Sequence, residues 1–127
     1  MALKDISDPN AVLRAIAEYD GQQWKVLVSR ADVTPDGMDI GNFGNLLSVN
    51  RRGGLAFMAT GTRTRIVTRT PDGKLHVVYS ALDQTNSGDA LWSSGFMSLQ
   101  LHDNGRLYIA GLDTLDRNTI YVAEPLF

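Results

Sequence analysis

The sequence predicts an all-β fold, a β-propeller-like chain of two four-stranded blades, and three observations predict it. A strand-and-turn pattern is written twice, fifty-two residues apart. Short stretches rich in β-branched and aromatic residues fill the interval. Turn signals separate them, Asp72-Gly73, Arg52-Gly53-Gly54 and Asn104-Gly105, of which Asp-Gly and Asn-Gly tolerate the positive φ of tight hairpin turns.

The repeat comes first, because a missed repeat miscasts the whole fold. "NRRGGLAFMATG" (50–61) is echoed by "HDNGRLYIAGLD" (102–113), which aligns Gly53, Leu55, Phe57 and Ala59 with Gly105, Leu107, Ile109 and Gly111. "EYDGQQWKVLVSRAD" (18–32) resembles "RTPDGKLHVVYSALD" (69–83) in the same way. "DVTPDG" (32–37) and "DQTNSG" (83–88) share D-x-T-x-x-G, and "TRIVTRT" (64–70) matches "NTIYVAEP" (118–125) with Ile66 near Ile120. A period of just over fifty residues fits a four-stranded propeller blade.

Eight strands follow in order from Trp24: WKVLVSR, LLSVN, GLAFMAT, TRIVTRT, KLHVVYS, MSLQLH, RLYIAGL and TIYVAEP. In the frame of the repeat they are one fourth strand, a full blade, and a blade short of its fourth strand. "WKVLVSR" has the character of the missing strand. The expectation is that this strand of one copy completes the last blade of another, so that a ring closes head to tail. Three chains would give six blades and two would give four, and the trimer is the preferred expectation.

The N-terminal stretch supports two readings. "DPNAVLRAIAEYDG" (8–21) suits a short helix, with Asp8 as cap, Pro9 in the first turn and an apolar stripe of Val12, Ala15, Ile16 and Tyr19. The repeat instead places a strand from about Leu13 to Tyr19, and the direct Asp-Gly match favours the strand. Residues 1–12 then form an arm, and 13–127 the repeat domain.

Composition excludes several classes. The 127 residues suit one domain, with 43% hydrophobic and 20% charged residues. A net charge of −2 gives no global case for nucleic-acid or anionic-membrane binding. The absence of cysteine excludes disulfides, thiolate zinc sites and a cysteine nucleophile. No apolar run approaches the ~20 residues of a membrane-spanning helix. No signal-peptide pattern opens the chain, so a cytoplasmic location is the default expectation.

"NRRGGLAF" resembles the N-x-x-G-x-x-A-F signature of bacterial tandem-repeat β-propeller proteins, through Asn50, Gly53, Ala56 and Phe57, with Asp32, Pro35 and Gly37 as the accompanying loop. The second copy departs from it: His102 replaces Asn50, Tyr108-Ile109 replaces Ala56-Phe57, and Asn86 replaces Pro35. The resemblance implies propeller blades. Propellers serve as binding platforms, lectins and enzymes alike, so it implies no activity.

Four groups of residues are candidates for a site. Asp32, Thr34, Asp83 and Thr85 head the paired D-x-T-x-x-G loops. A repeated ligand site would use their oxygens, although one carboxylate per loop falls short of the ~6–8 oxygens that calcium takes. Turn capping is the competing account and the better one. Phe43 and Trp92 precede the first strand of each blade and form the best pair for a repeated sugar-stacking pocket, which defines a lectin alternative. Burial between blades competes with it. Arg51, Arg52, Arg63, Arg65 and Arg69 form a basic patch, either phosphate-binding or a solvated face. His76 and His102 have no partners at catalytic or metal-binding spacing. The expected function is a non-catalytic binding or assembly module, with no cofactor and no metal, a second copy of itself as partner, and a glycan or small ligand as a further one. The closing segment of a longer propeller is the remaining alternative.

Overall fold

The computed structural model describes residues 2–4, 13–60, 63–83, 85 and 90–124. The strands are β1 (Ala2–Lys4), β2 (Leu13–Tyr19), β3 (Trp24–Ser29), β4 (Phe43–Val49), β5 (Leu55–Ala59), β6 (Arg65–Arg69), β7 (Leu75–Ser80), β8 (Leu91–Leu101), β9 (Leu107–Asp113) and β10 (Asn118–Ala123). They form three antiparallel sheets, ordered β1-β2-β3, β4-β5-β6-β7 and β10-β9-β8. Among the described residues there is no helix.

All eight strands expected from Trp24 onward are present as β3 to β10. Residues 13–19 are strand, not helix. Pairing to β3, with Ile16 buried against the second sheet, outweighs the helical stripe. The remainder of the 8–21 reading, residues 8–12, lies outside the described residues. The expected two sheets of four strands are instead three sheets, of three, four and three strands. "WKVLVSR" also has a place in its own chain, because β2 supplies its partner.

The strands of the second and third sheets pair in matching registers. Leu47, Ser48 and Val49 pair with Phe57, Ala56 and Leu55; fifty-two residues later Leu99, Gln100 and Leu101 pair with Ile109, Tyr108 and Leu107. Ile66 faces Met58 as Ile120 faces Ala110. The β2–β3 ladder shifts register between Ile16 and Ala17, and the β6–β7 ladder shifts at the same place, between Ile66 and Val67. Ile16, Ile66 and Ile120 therefore hold one position in three successive sheets.

The sheet faces turned toward one another are apolar. Ile16 and Val28 of the first sheet pack with Phe43, Leu55, Phe57, Ala59 and Val67 of the second. The other face of the second sheet, with Ala56 and Ile66, packs against Leu91, Phe96, Leu99, Leu101, Leu107 and Ile109 of the third. A sheet buried on both sides reads as a continuous apolar run, and Leu55–Ala59 does.

Candidate functional site

The loops after β3 and β7 rise at one end of the sheets, and arginines of the β6 strand and its approach tie them down. Arg65 is fully buried. Its Nη1 donates to Thr34 Oγ1 at 2.7 Å and lies 3.3 Å from Asp36 Oδ1, and its Nη2 donates to the Asp39 carbonyl at 2.6 Å. Arg63, exposed, donates through Nη2 to the Ala81 carbonyl at 2.9 Å and to Asp83 Oδ1 at 2.7 Å. The arginines placed on one solvated face are thus split. Arg65 leaves that face for the core, because three acceptors of the 34–39 loop replace its water.

The D-x-T-x-x-G residues are occupied by the loops themselves. Asp32 Oδ2 accepts the Ser29 amide at 2.9 Å. The Thr34 hydroxyl donates to Asp36 and also lies within hydrogen-bond reach of the Met38 carbonyl, while accepting from Arg65. Burial pushes the Asp36 carboxyl up, but Thr34, the Met38 amide and Arg65 outweigh it and hold its pKa below the usual carboxylate value. In the second loop Asp83 pairs with Arg63, and its carbonyl accepts the Tyr79 hydroxyl at 2.5 Å. Thr85 is half-buried and partnered. Asn86 and Gly88 lie outside the described residues. Asp32 thus caps its own turn, whereas Thr34 and Asp83 also take the side chains of Arg65 and Arg63.

Phe43 and Trp92 do not hold equivalent places. Phe43 is buried, its ring 5.6 Å from that of Phe57. Its counterpart is Phe96: Phe43 pairs with Ala59, and Phe96 with the equivalent Gly111. Phe96 is also buried and stands edge-on to Tyr79 at 5.9 Å. Trp92 lies in the irregular stretch between Leu91 and Phe96, 41% exposed, with no equivalent in the preceding sheet. The residues gained in that stretch displaced the sequence alignment.

One signal in the sequence was missed. Thr-Pro-Asp-Gly occurs at 34–37 and again at 70–73. Both copies close the same turn: the Thr amide donates to the carbonyl four residues on, and the Gly amide donates back to the Thr carbonyl. Gly37 and Gly73 take φ of 83° and 92°, where a side chain would be strained. In both copies the Thr hydroxyl donates to the Asp carboxylate, and the Asp72 pKa is held low chiefly by Thr70.

Two clefts lie between sheets. An open one of about 620 Å³ runs between the 32–35 segment and the start of β7, with Asp32, Thr34, Pro35, Lys74 and His76 in its wall. A narrower one of about 270 Å³ separates the β4–β5 turn from the β8–β9 turn. That second cleft is bridged by two equivalent turns. Asn50 Nδ2 donates to the His102 carbonyl at 3.0 Å, and the Arg51 amide to Asp103 Oδ1 at 2.8 Å. Each bond joins residues fifty-two apart. Asn50 Oδ1 meanwhile caps its own turn, accepting the Arg52 and Gly54 amides.

Among the described residues no three His, Cys, Asp or Glu side chains gather in a group able to hold a metal ion. No family model, curated protein or solved structure matches the chain.

Proposed function

We propose that this chain is a non-catalytic, β-propeller-type binding and assembly module whose two outer sheet faces dock on those of a second copy to close a ring. The observation that carries this is the exposure of three equivalent isoleucines. Ile16 and Ile66 are 2% and 0% exposed, each under the next sheet, whereas Ile120 is 68% exposed. Val122 stands exposed on the same strand, two residues on. At the other end, Trp24 and Val26 are exposed and hold the places of Leu75 and Val77. Leu75 packs into the core between the first two sheets. Tyr19 lies against Trp24, ring centroids 5.0 Å apart. Contiguous apolar surface of this kind marks an interface rather than ordinary exposed residues.

A second copy is the occupant because each face is the continuation of a contact already made within the chain. Sheet packs on sheet twice, in the same sense, and one more step brings Ile120 of one copy against Trp24 and Val26 of another. Such a contact is head to tail and closes by rotation. Three sheets per chain change the arithmetic of the sequence expectation: two copies supply six sheets, inside the roughly four to eight of propellers. Strand exchange is not needed, since β3 is already paired. The closing face is a variant of the internal one. Ala56, fully buried under the third sheet, is replaced there by Tyr108, whose ring lies 4.6 Å from that of His102. Terminal repeats commonly differ in this way.

The test uses Trp24 as reporter in a Trp92→Phe background. Fluorescence should shift to the red on dilution as the ring opens. Ile120→Lys should give the red-shifted spectrum at every concentration. A spectrum independent of concentration and of Ile120→Lys contradicts the proposal.

A further inference from the structure

We infer that the free edge of β10 takes an extended peptide as the fourth strand of the third sheet, a segment of another protein with large apolar residues at alternate places. β2, β6 and β10 hold one position in the three sheets, and β2 and β6 are each flanked by a further strand, β3 and β7. Among the described residues nothing pairs on that side of β10. Its edge also differs from the others. β1, β3, β4, β7 and β8 stand at sheet edges too, and each of their ladders shifts register, an irregularity that turns an edge away from further pairing. Among the described edge strands β10 alone pairs without a shift, from Asn118 to Ala123. It carries neither a charge nor a proline, and Thr119, Ile120, Tyr121 and Val122 all favour extended backbone. The usual guards of an exposed edge are missing from it.

The backbone groups on offer follow from the hairpin. The Asp113 amide donates to the Arg117 carbonyl. The alternation of an antiparallel ladder then turns the amides and carbonyls of Thr119, Tyr121 and Ala123 toward β9, and those of Asn118, Ile120 and Val122 outward. The occupant follows from the strands that fill this place in the other sheets. β3 is Trp-Lys-Val-Leu-Val-Ser and β7 is Leu-His-Val-Val-Tyr-Ser. Trp24, Val26 and Val28, like Leu75, Val77 and Tyr79, take the first, third and fifth places. Both strands are already paired in their own sheets, so a second copy has neither to lend. Main-chain bonds along the edge supply the affinity of such a complex, and alternate side chains supply its specificity. The ring contact uses the face of β10 and this site its edge, so the two are compatible and independent.

The test is fluorescence anisotropy of a labelled synthetic peptide, Gly-Lys-Leu-His-Val-Val-Tyr-Ser-Ala (the sequence of residues 73–81), titrated with the full chain. It should bind saturably, one peptide per chain. Two further peptides carry backbone N-methyl groups, one at the places of Leu75, Val77 and Tyr79, the other at those of His76, Val78 and Ser80. Only one set of amides faces β10, so one peptide should bind as the parent does and the other about tenfold or more weakly. Val122→Pro removes an outward amide and leaves the β9 bonds of Tyr121 and Ala123, and should weaken binding about tenfold or more. Absence of saturable binding, equal loss with both methylated peptides, or binding untouched by Val122→Pro overturns the inference. A particle mass that falls as the peptide binds assigns the edge to a second copy and overturns it too. A single chain that still binds the peptide contradicts ring closure and leaves this site standing.

Discussion

Arg65 shows most clearly how one side chain organises the loop end of the molecule. A guanidinium with no solvent contact persists only where its donors are matched, and Thr34, Asp36 and Asp39 match them. Arg65→Leu removes the donor that ties buried Thr34, Asp36 and the Asp39 carbonyl to β6, and should lower stability by about 2–4 kcal/mol in urea unfolding. Arg51→Ala, which keeps its bonding amide, should change stability by less than about 0.5 kcal/mol. Several carboxylates act in concert with pH. Asp20 is held low by the Gln23 and Gln22 amides and Asp72 by the Thr70 hydroxyl; at Asp36 and Asp113 burial opposes the lowering and is outweighed. A carboxyl depressed in the folded state stabilises above its unfolded value of about 3.9, and that stability is lost as pH falls through the folded value. The melting temperature should therefore be level near neutrality and fall below about pH 4, with a shallower fall in Asp36→Asn. The sequence did not reveal the role of Arg65. Arginine in a Thr-Arg alternation reads as a solvated strand face, and only the loop folding back from residues 34–39 turns one of those arginines into a core residue.

At the scale of strands and turns, the molecule is held by a small set of repeated hairpin closures. Asn50 caps its own turn and grips the next one, so a single amide serves two sheets. Asn50→Ala should cost about 1–2 kcal/mol, whereas Asn104→Ala, which caps only the Arg106 amide, should cost less. Where β8 is irregular, the backbones come close: a Cβ on Gly95 would stand 2.7 Å from the Leu112 carbonyl oxygen. Gly95→Ala should cost about 2 kcal/mol or more, because backbone cannot move aside. A Cβ on Gly44 meets the flexible end of Met58, so Gly44→Ala should cost less. Thermal melts of the two variants check the order. Strands were legible here because alternation and turn residues agree, as in Met97 to Leu101 and the Asn104-Gly105 turn. The Phe43–Trp92 pairing failed because alignment by spacing cannot see an irregular stretch in β8. β2 was legible only through its repeat, since its composition suits a helix equally well.

For the molecule as a whole, the three sheets are stacked in chain order. Sheets follow one another so that each buries the isoleucine of the one before, and the series stops at Ile120. Three sheets rather than two came from β1 and β2, whose pairing was obscured by a helix-like apolar stripe. The clefts were far less legible than the fold: the narrow one is bridged by two turns fifty-two residues apart, and no local pattern marks their contact. Ring closure is the central claim, and solution mass by light scattering after gel filtration tests it most directly. A closed ring has about twice the 13.9 kDa chain mass, and Ile120→Lys should reduce the particle to the mass of one chain. A folded single chain of 13.9 kDa at high protein concentration would contradict it.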